Sequence, residues 1–322
     1  MKSTLFIVNS PFQCLCMLEA ISVFKIEKYE VLVVYSDTFS IDKIHTLLEE
    51  FSINYSVKKV AHIVYDFIPL FLQKHNKFDS IFIGDYYEPF LEILGKIYAK
   101  KKYELYYLDD GIQALTLFSS YPRKRFKEKK VKIVWNIYDR CLSWKRCQKY
   151  NYFTIYNVVS DRMTIIHHNL SFLSQKHKLT TSGVYIIGTN SSTVVFSDKN
   201  YFDYLDALLI YIKKRWPQEM VYYCPHRRDK NNDVNRNWCN KNSVIYFETA
   251  VSVEFDFTKN GLYPISVIGF TSNALFTLKA IYPNSNICTI DYRLQNEIAD
   301  SETVMIRKQL IEYNINLLKL FK

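Results

Sequence analysis

The sequence predicts an α/β protein made of two successive domains, each built on a parallel sheet flanked by helices. Apolar runs of about five to eight residues alternate with segments of helical periodicity, which is the pattern of β-α-β units. The 322 residues are enough for two domains of ordinary size, each with its own core. Hydrophobic residues make up 48% of the chain and aromatic residues 16%, as in a globular protein.

The first half predicts one domain over residues 1–170. Its apolar runs predict strands at Leu5–Val8, Val31–Tyr35, Ser80–Gly84 and Leu105–Leu108. Helical periodicity predicts helices at Gln13–Val23, Ile41–Phe51, Tyr65–Lys74 and Glu88–Lys100.

The second half predicts another domain over residues 171–300, after a polar crossover at 157–182 with few strand signals. Strands are predicted at Val184–Gly188, Val221–Cys224, Val244–Phe247, Ile265–Gly269 and Ile287–Ile290, and helices at Tyr201–Arg215 and Asn273–Ile281. Residues 301–322 predict a basic terminal helix over Glu302–Phe321. We expect it to pack back across the domains, with contact to the inner membrane surface through its lysines as the alternative.

The composition excludes several kinds of site. Only seven glycines occur, and neither GxGxxG nor GxxxxGK[ST] is present, so the usual phosphate loops of dinucleotide and P-loop proteins are missing. The sequence also has no DxD carboxylate pair and no CxxC spacing among its seven cysteines. We therefore expect no cofactor, no metal and reduced, mostly buried cysteines.

The net charge of +10 is compatible with nucleic acid, an anionic membrane surface or an anionic substrate. The densest basic run covers residues 123–130 and is expected to be a solvated loop. No nucleic-acid-binding motif accompanies it, so we expect no nucleic-acid partner. Apolar runs are too short to span a membrane, and the start lacks the features of a secretory signal, which predicts a cytoplasmic protein.

Polar clusters follow the predicted strands, at the sheet edge where α/β proteins bind ligands. After Cys224 the chain brings one titratable donor, His226, and the fixed charges of Arg227 and Arg228 to one place. This combination suits a phosphate that is held and then protonated as it leaves. A surface loop with ordinary basic residues is the alternative.

A carboxylate pair, Asp109 and Asp110, follows the fourth strand, and Gly111 permits a tight turn that aims one carboxylate into the cleft expected between the domains. A carboxylate there can accept the proton of an attacking sugar hydroxyl. After the first strand, Ser10 and Pro11 fit a helix cap. Two neighbouring polar residues, Asn9 and Gln13, are candidates for ligand contact.

Further candidates form a phosphate seat without a glycine loop. Thr271 and Ser272 add hydroxyls to the free N–H groups of a helix N-terminus. A weaker site of the same kind is predicted at Gly188, Thr189 and Asn190. Glu254 is a candidate to bind the ribose of a nucleotide, with Glu248 as the alternative.

These motifs resemble those of the bacterial sialyltransferases of GT-B type, the lipooligosaccharide, capsular and polysialic acid enzymes. That group shares an Asp/Glu-Asp/Glu-Gly motif, a His-Pro motif and a Ser-Ser or Ser-Thr motif, in this order. The chain has Asp109-Asp110-Gly111, His226 and Thr271-Ser272 in the same order. It departs in two places, because Pro225 precedes the histidine and a threonine replaces one serine. The start, Asn9–Gln13, resembles the lipooligosaccharide and capsular branch.

The resemblance implies two Rossmann-like domains facing a central cleft and a metal-independent, inverting transfer from CMP-sialic acid to a terminal galactose. It implies that Asp109 is the general base and that His226 hydrogen-bonds or protonates the departing CMP. Thr271 and Ser272 would hold the phosphate, with Arg227 favouring the same anion, and Glu254 would hold the ribose. Alternatives are a polysialyltransferase, a transferase for another CMP-sugar such as CMP-Kdo, and a nucleotide-binding protein without catalysis.

Overall fold

The computed structural model describes residues 2–35, 41–60, 77–84, 86, 89–111, 136–137, 140–176, 180–189, 198–226, 229, 232–270, 272–290 and 301–320. The chain divides into two compact units, Met1–His168 and Asn169–Lys322. Within the described residues, the first unit contains a sheet of seven strands and the second a sheet of six, and all their strand pairs are parallel. The predicted α/β class with two parallel-sheet domains is confirmed.

The first unit alternates strands and helices along the chain. Its elements are β1 (Thr4–Val8), α1 (Pro11–Val23), β2 (Tyr29–Tyr35), α2 (Ile41–Glu50), β3 (Ser56–Lys59), β4 (Phe78–Ile83), α3 (Pro89–Tyr98), β5 (Ala99–Leu108), β6 (Arg146–Thr154) and β7 (Thr164–His167). The sheet order is β3-β2-β1-β4-β5-β6-β7, so the direction of winding reverses between β1 and β4. Every residue of β1 is buried, as expected for a strand with a neighbour on both sides and apolar contacts on both faces.

The second unit repeats the same winding. Its elements are α4 (Ser171–Lys176), β8 (Thr180–Ile187), α5 (Asp198–Arg215), β9 (Val221–Cys224), α6 (Asn232–Asn242), β10 (Ile245–Tyr246), α7 (Val253–Lys259), β11 (Leu262–Gly269), α8 (Asn273–Ile281), β12 (Asn286–Ile290), α9 (Ser301–Glu312) and β13 (Asn316–Leu318). The sheet order is β10-β9-β8-β11-β12-β13, with the reversal between β8 and β11. In an open α/β sheet this reversal opens a crevice at the carboxyl ends of the strands.

The structure corrects two predictions about regular elements. The terminal segment is not one helix, because α9 ends at Glu312 and Asn316–Leu318 adds a strand beside β12. The polar stretch 157–182, in which few strand signals were found, contains β7, α4 and the first residues of β8. The predicted helix Tyr65–Lys74 and the basic run 123–130 lie outside the described residues. Among the helices that are described, none has the length and apolar character needed to cross a membrane.

Candidate functional site

Gln13 is the centre of a hydrogen-bonded group at the carboxyl edge of the first sheet. Its side chain is fully buried in the first turn of α1. Oε1 accepts a hydrogen bond from the backbone N–H of Asn9 at 2.8 Å, and Nε2 donates to Oδ1 of Asp110 at 2.6 Å. The Gln13 amide therefore links the end of β1 to the turn after β5. Its hydrogen bond goes to Asp110 and not to solvent.

Two local features place Gln13 in this position. Ser10 caps α1 by accepting the N–H of Gln13 at 3.3 Å, and Pro11 occupies the first turn, as the sequence predicted. Gly84, directly after β4, leaves the space that the Gln13 amide fills, because a Cβ at Gly84 would overlap that side chain. The sequence did not indicate that Gly84 packs tightly against Gln13.

The two carboxylates of the Asp-Asp-Gly motif have different surroundings. Asp109 is fully buried, and its Oδ2 accepts the backbone N–H of Ile155 at 2.7 Å, which ties the end of β5 to the end of β6. Asp110 is partly exposed beside it. Gly111 has a φ of 99°, a conformation that favours glycine, so the turn has the backbone geometry that the motif requires.

Burial around Asp109 also affects a neighbouring phenol. The pKa of Tyr152 is raised well above its usual value, first by burial and then by the charge of Asp109. His168 is also close to Asp109, since its Nε2 lies 3.7 Å from Oδ2 of that carboxylate. The sequence analysis did not single out His168, although the short β-branched run Thr164–His167 just before it was an available strand signal.

The corresponding edge of the second sheet is lined by phenols. The hydroxyls of Tyr201 and Tyr223 are 2.8 Å apart and buried, and the backbone N–H of Thr189 donates to the Tyr201 oxygen. Burial is the largest cause that raises the pKa of both tyrosines. Gly188 makes room for this pair, because a Cβ there would lie 2.5 Å from the Tyr223 hydroxyl oxygen. These phenols were not predicted as part of the site.

His226 lies two residues beyond the end of β9 and is partly exposed. Its carbonyl accepts the backbone N–H of Asp229 at 2.9 Å, which closes a turn at the strand end. Asp229 is buried and accepts a hydrogen bond from Nδ2 of Asn235 at 2.9 Å, so α6 is tied to this turn. The predicted phosphate ligands Arg227, Asn190 and Thr271 lie outside the described residues, as does Arg228.

Ser272 caps α8, and its hydroxyl accepts the N–H of Ala274 at 3.3 Å. Because this helix follows β11 directly, its first N–H groups lie at the carboxyl edge of the sheet, next to the reversal of strand order. A helix N-terminus in that place suits an anion. The predicted helix cap at Ser272 is confirmed, and phosphate binding there stays a prediction.

The two candidates for ribose binding differ in their surroundings. Glu254 is buried in the first turn of α7, and its Oε1 accepts the hydroxyl of Thr277 at 2.6 Å, which joins α7 to α8. Glu248 follows β10, has a side chain that is 70% exposed, and pairs with Arg236 at 2.7 Å. The sequence did not indicate Thr277 as a partner of Glu254.

Solved structures of two sialyltransferases are similar to this chain over nearly the full length of both chains. An α/β-galactoside α-2,3-sialyltransferase from Photobacterium phosphoreum has a TM-score of 0.57 at 14% identity, over 98% of this chain and 99% of the other. The GT-B domain of a sialyltransferase from Photobacterium damselae has a TM-score of 0.57 at 11% identity, over 99% and 100%. The chain has the GT-B fold.

The fold alone does not decide the reaction. A UDP-GlcNAc 2-epimerase from Neisseria meningitidis is also similar, with a TM-score of 0.50 at 12% identity over 97% of this chain and 92% of the other. No protein-family model and no curated protein matches the sequence. The chemistry must therefore be argued from the side chains at the two sheet edges.

Proposed function

We propose that the protein is a sialyltransferase that transfers sialic acid from CMP-sialic acid to a terminal galactose of a bacterial capsular polysaccharide or lipooligosaccharide. The order of the three motifs and the GT-B fold support this proposal. The observation that carries it is the carboxylate pair after β5, in which one member is buried and the other is oriented near the surface by Gln13. A carboxylate that is held in this way is positioned to accept the proton of an acceptor hydroxyl.

We assign proton acceptance to Asp110 instead of Asp109, to which the sequence analysis gave it. A general base must reach the hydroxyl that it deprotonates. Asp109 has no exposed surface and bonds Ile155, whereas Asp110 is partly exposed. In this proposal Asp109 is structural and holds the ends of β5 and β6 together.

The leaving group is assigned to the second unit. CMP departs slowly while its phosphate is fully charged, so a proton or hydrogen bond from His226 lowers the barrier. The hydroxyl of Ser272 and the N-terminus of α8 supply further donors to that phosphate, together with Thr271 and Arg227. Direct attack by the activated acceptor hydroxyl inverts the sugar carbon, and neither of these proton transfers needs a metal.

The remaining predicted residues receive supporting roles. Gly188 and Thr189 shape the donor side around the tyrosine pair, and Asn190 keeps its predicted role in donor binding. Either Glu254 or Glu248 binds the ribose, and Asn9 and Ser10 line the acceptor side. An acceptor of this class also suits an enzyme that binds peripherally to the inner face of a membrane. Exposed Lys308 and Lys319 in the terminal segment are the proposed membrane contacts.

The proposal is tested by measuring CMP release and sialylated product from CMP-sialic acid with lactose as the acceptor. Asp110→Asn and His226→Ala should each lower kcat by about 100- to 10,000-fold, the usual contribution of a general base or acid. Asp161→Asn is the matched control, because Asp161 is 90% exposed and precedes β7 at the opposite edge of the sheet. Circular dichroism should show that all variants are folded.

Other outcomes identify other functions. Full turnover in Asp110→Asn, with a folded but inactive Asp109→Asn, would return the base to Asp109. Release of CMP from CMP-Kdo but not from CMP-sialic acid would indicate another CMP-sugar transferase. Long products from an acceptor with one sialic acid would indicate a polysialyltransferase. Binding of CMP without release from any CMP-sugar would indicate a protein without catalysis.

A further inference from the structure

Three side chains that the proposed reaction does not use converge behind the carboxyl edge of the first sheet. They are Cys16 on α1, Asp109 after β5 and His168 after β7, and one potential ligand atom from each lies within 4.8 Å of the others. A cysteine sulfur, a carboxylate oxygen and an imidazole nitrogen are the ligand types that zinc takes in proteins. The three come from separate parts of the chain, so no sequence spacing announces them.

Several polar atoms of Asp109 and His168 have no hydrogen-bond partner in the part of the chain that the structure describes. The His168 side chain is fully buried, and neither ring nitrogen has a hydrogen-bond partner among the described residues. The same is true of Oδ1 of Asp109. Buried polar atoms without hydrogen-bond partners destabilise a folded protein, so these atoms call for an explanation. The imidazole is also held in place, because it stacks on Phe153 with ring centres 4.1 Å apart.

An ion pair between Asp109 and His168 accounts for only part of this arrangement. The distance of 3.7 Å between Oδ2 and Nε2 is too long for a hydrogen bond. A charged imidazole would also leave Nδ1 buried without a partner. A metal ion would be coordinated by a ring nitrogen and a carboxylate oxygen directly, and it would offset the charge of the carboxylate.

We propose that Cys16, Asp109 and His168 bind a divalent transition-metal ion, with zinc favoured by this ligand set. Ligand atoms around a tetrahedral zinc are about 3.4–3.6 Å apart, so atoms that now lie within 4.8 Å of one another would move closer together on binding. Binding forms metal–ligand bonds from the thiolate, a carboxylate oxygen and an imidazole nitrogen, and the thiol proton is released to solvent. No metal was expected from the sequence. The proposed site includes the chain neighbour of Asp110, but it contains neither Asp110 nor His226, to which the proton transfers are assigned.

The site would be structural. It joins α1 to the ends of β5 and β7, and Cys16 lies about one helical turn after Gln13, which orients Asp110. An ion here would therefore fix the helix that supports the proposed base. Metal binding itself does not depend on the proposed sialyltransferase activity, so the two proposals can fail separately.

The experiment is a titration of the full-length, metal-stripped and reduced protein with Co²⁺ and then Zn²⁺. We expect one equivalent of cobalt, a near-ultraviolet thiolate-to-cobalt band, and loss of that band on addition of zinc. Cys16→Ser should abolish the band, and His168→Gln should weaken binding by more than about 100-fold, since removing even an outer-shell partner costs roughly 10- to 100-fold. The matched control is Cys14→Ser, because Cys14 is also buried in α1 but is not in the group.

Several results would overturn the proposal. Absence of a thiolate band in the wild-type protein excludes the site even if no variant folds. An unchanged band in Cys16→Ser, or its loss in Cys14→Ser, places the metal elsewhere. If neither metal binds and the His168 imidazole titrates together with Asp109 by NMR, the pair is a buried ion pair and not a metal site.

Discussion

The carboxyl edges of the two sheets are built from different chemical groups. In the first unit an amide and a carboxylate, Gln13 and Asp109, make directed hydrogen bonds that fix Asp110 and the strand ends. In the second unit the edge consists of a buried tyrosine pair and the capped N-terminus of α8. The first arrangement orients one charged group. In the second, the tyrosine pair is fully buried, and the neutral donors are the N–H groups at the N-terminus of α8. This difference suits a base in one unit and an anion site in the other.

Among the substitutions that test this difference between the two edges, the largest effect is expected from Gln13→Glu, which places a second carboxylate against Asp110. Like charges in contact raise the pKa of one member of the pair. The acidic limb of the kcat/KM profile should therefore move to higher pH by about one unit or more, with kcat lower by about 10- to 100-fold at neutral pH. The measurement is a pH–rate profile of the transfer reaction.

The control for this substitution is Gln148→Glu, which changes an exposed glutamine in β6 of the same sheet. It should leave the pH–rate profile unchanged. An unchanged profile in Gln13→Glu as well would mean that Asp110 is not the base that Gln13 orients.

The next largest effect is expected from replacing the glycine at each sheet edge that leaves space for a neighbouring side chain. Gly84→Ala should displace Gln13 and lower kcat, whereas Gly188→Ala should displace Tyr223 and raise KM for CMP-sialic acid. Each substitution should cost about 1–3 kcal/mol of unfolding free energy, as expected for overpacking. Urea unfolding and steady-state kinetics measure the two effects.

Double variants sharpen this prediction. Adding Gln13→Ala to Gly84→Ala should restore stability without restoring activity, because the clash is removed together with the group that holds Asp110. Adding Tyr223→Phe to Gly188→Ala should restore part of the lost stability and part of the affinity for CMP-sialic acid. The reason is that the nearest clashing atom is the Tyr223 hydroxyl oxygen. Strictly additive losses in both pairs would contradict the packing argument.

The smallest effect is expected from Tyr223→Phe, which removes the hydrogen bond to Tyr201 and should cost about 1 kcal/mol at pH 8. Burial raises the pKa of Tyr223 in the folded protein, while an unfolded tyrosine ionises near pH 10. The stability that depends on the protonated phenol is complete below that pH and is lost above it. The stability gap between wild type and variant should therefore narrow by about 1 kcal/mol between pH 8 and 10.5. Equal gaps at the two pH values would be evidence against a buried, protonated pair.

Much of the fold was predictable because the central strands are buried on both faces and appear as apolar runs. The strand Val221–Cys224 and the helix Asn273–Ile281 were predicted with the bounds that the structure has. The strands β6 and β13 were missed because edge and near-edge strands carry polar residues, as in Arg146–Thr154. Packing against a neighbouring strand, not local pattern, decides such segments.

Candidate residues were predictable where they directly follow a strong strand, as with Asp109, Asp110, His226 and Ser272. Their separate tasks were not, because burial is a property of the assembled edge. Two adjacent aspartates have the same chemistry in the sequence, and only the structure shows that Asp109 is buried and Asp110 is partly exposed.

The sequence by itself determined two α/β domains, their order and the polar groups at the ends of their central strands, because alternation and periodicity are local properties of the chain. Tertiary structure alone decided that Gln13 holds Asp110, that Thr277 bonds Glu254, and that Cys16, Asp109 and His168 meet. Each of these contacts joins segments that are distant in the chain. Such contacts depend on how helices pack against the sheet, which no local pattern encodes.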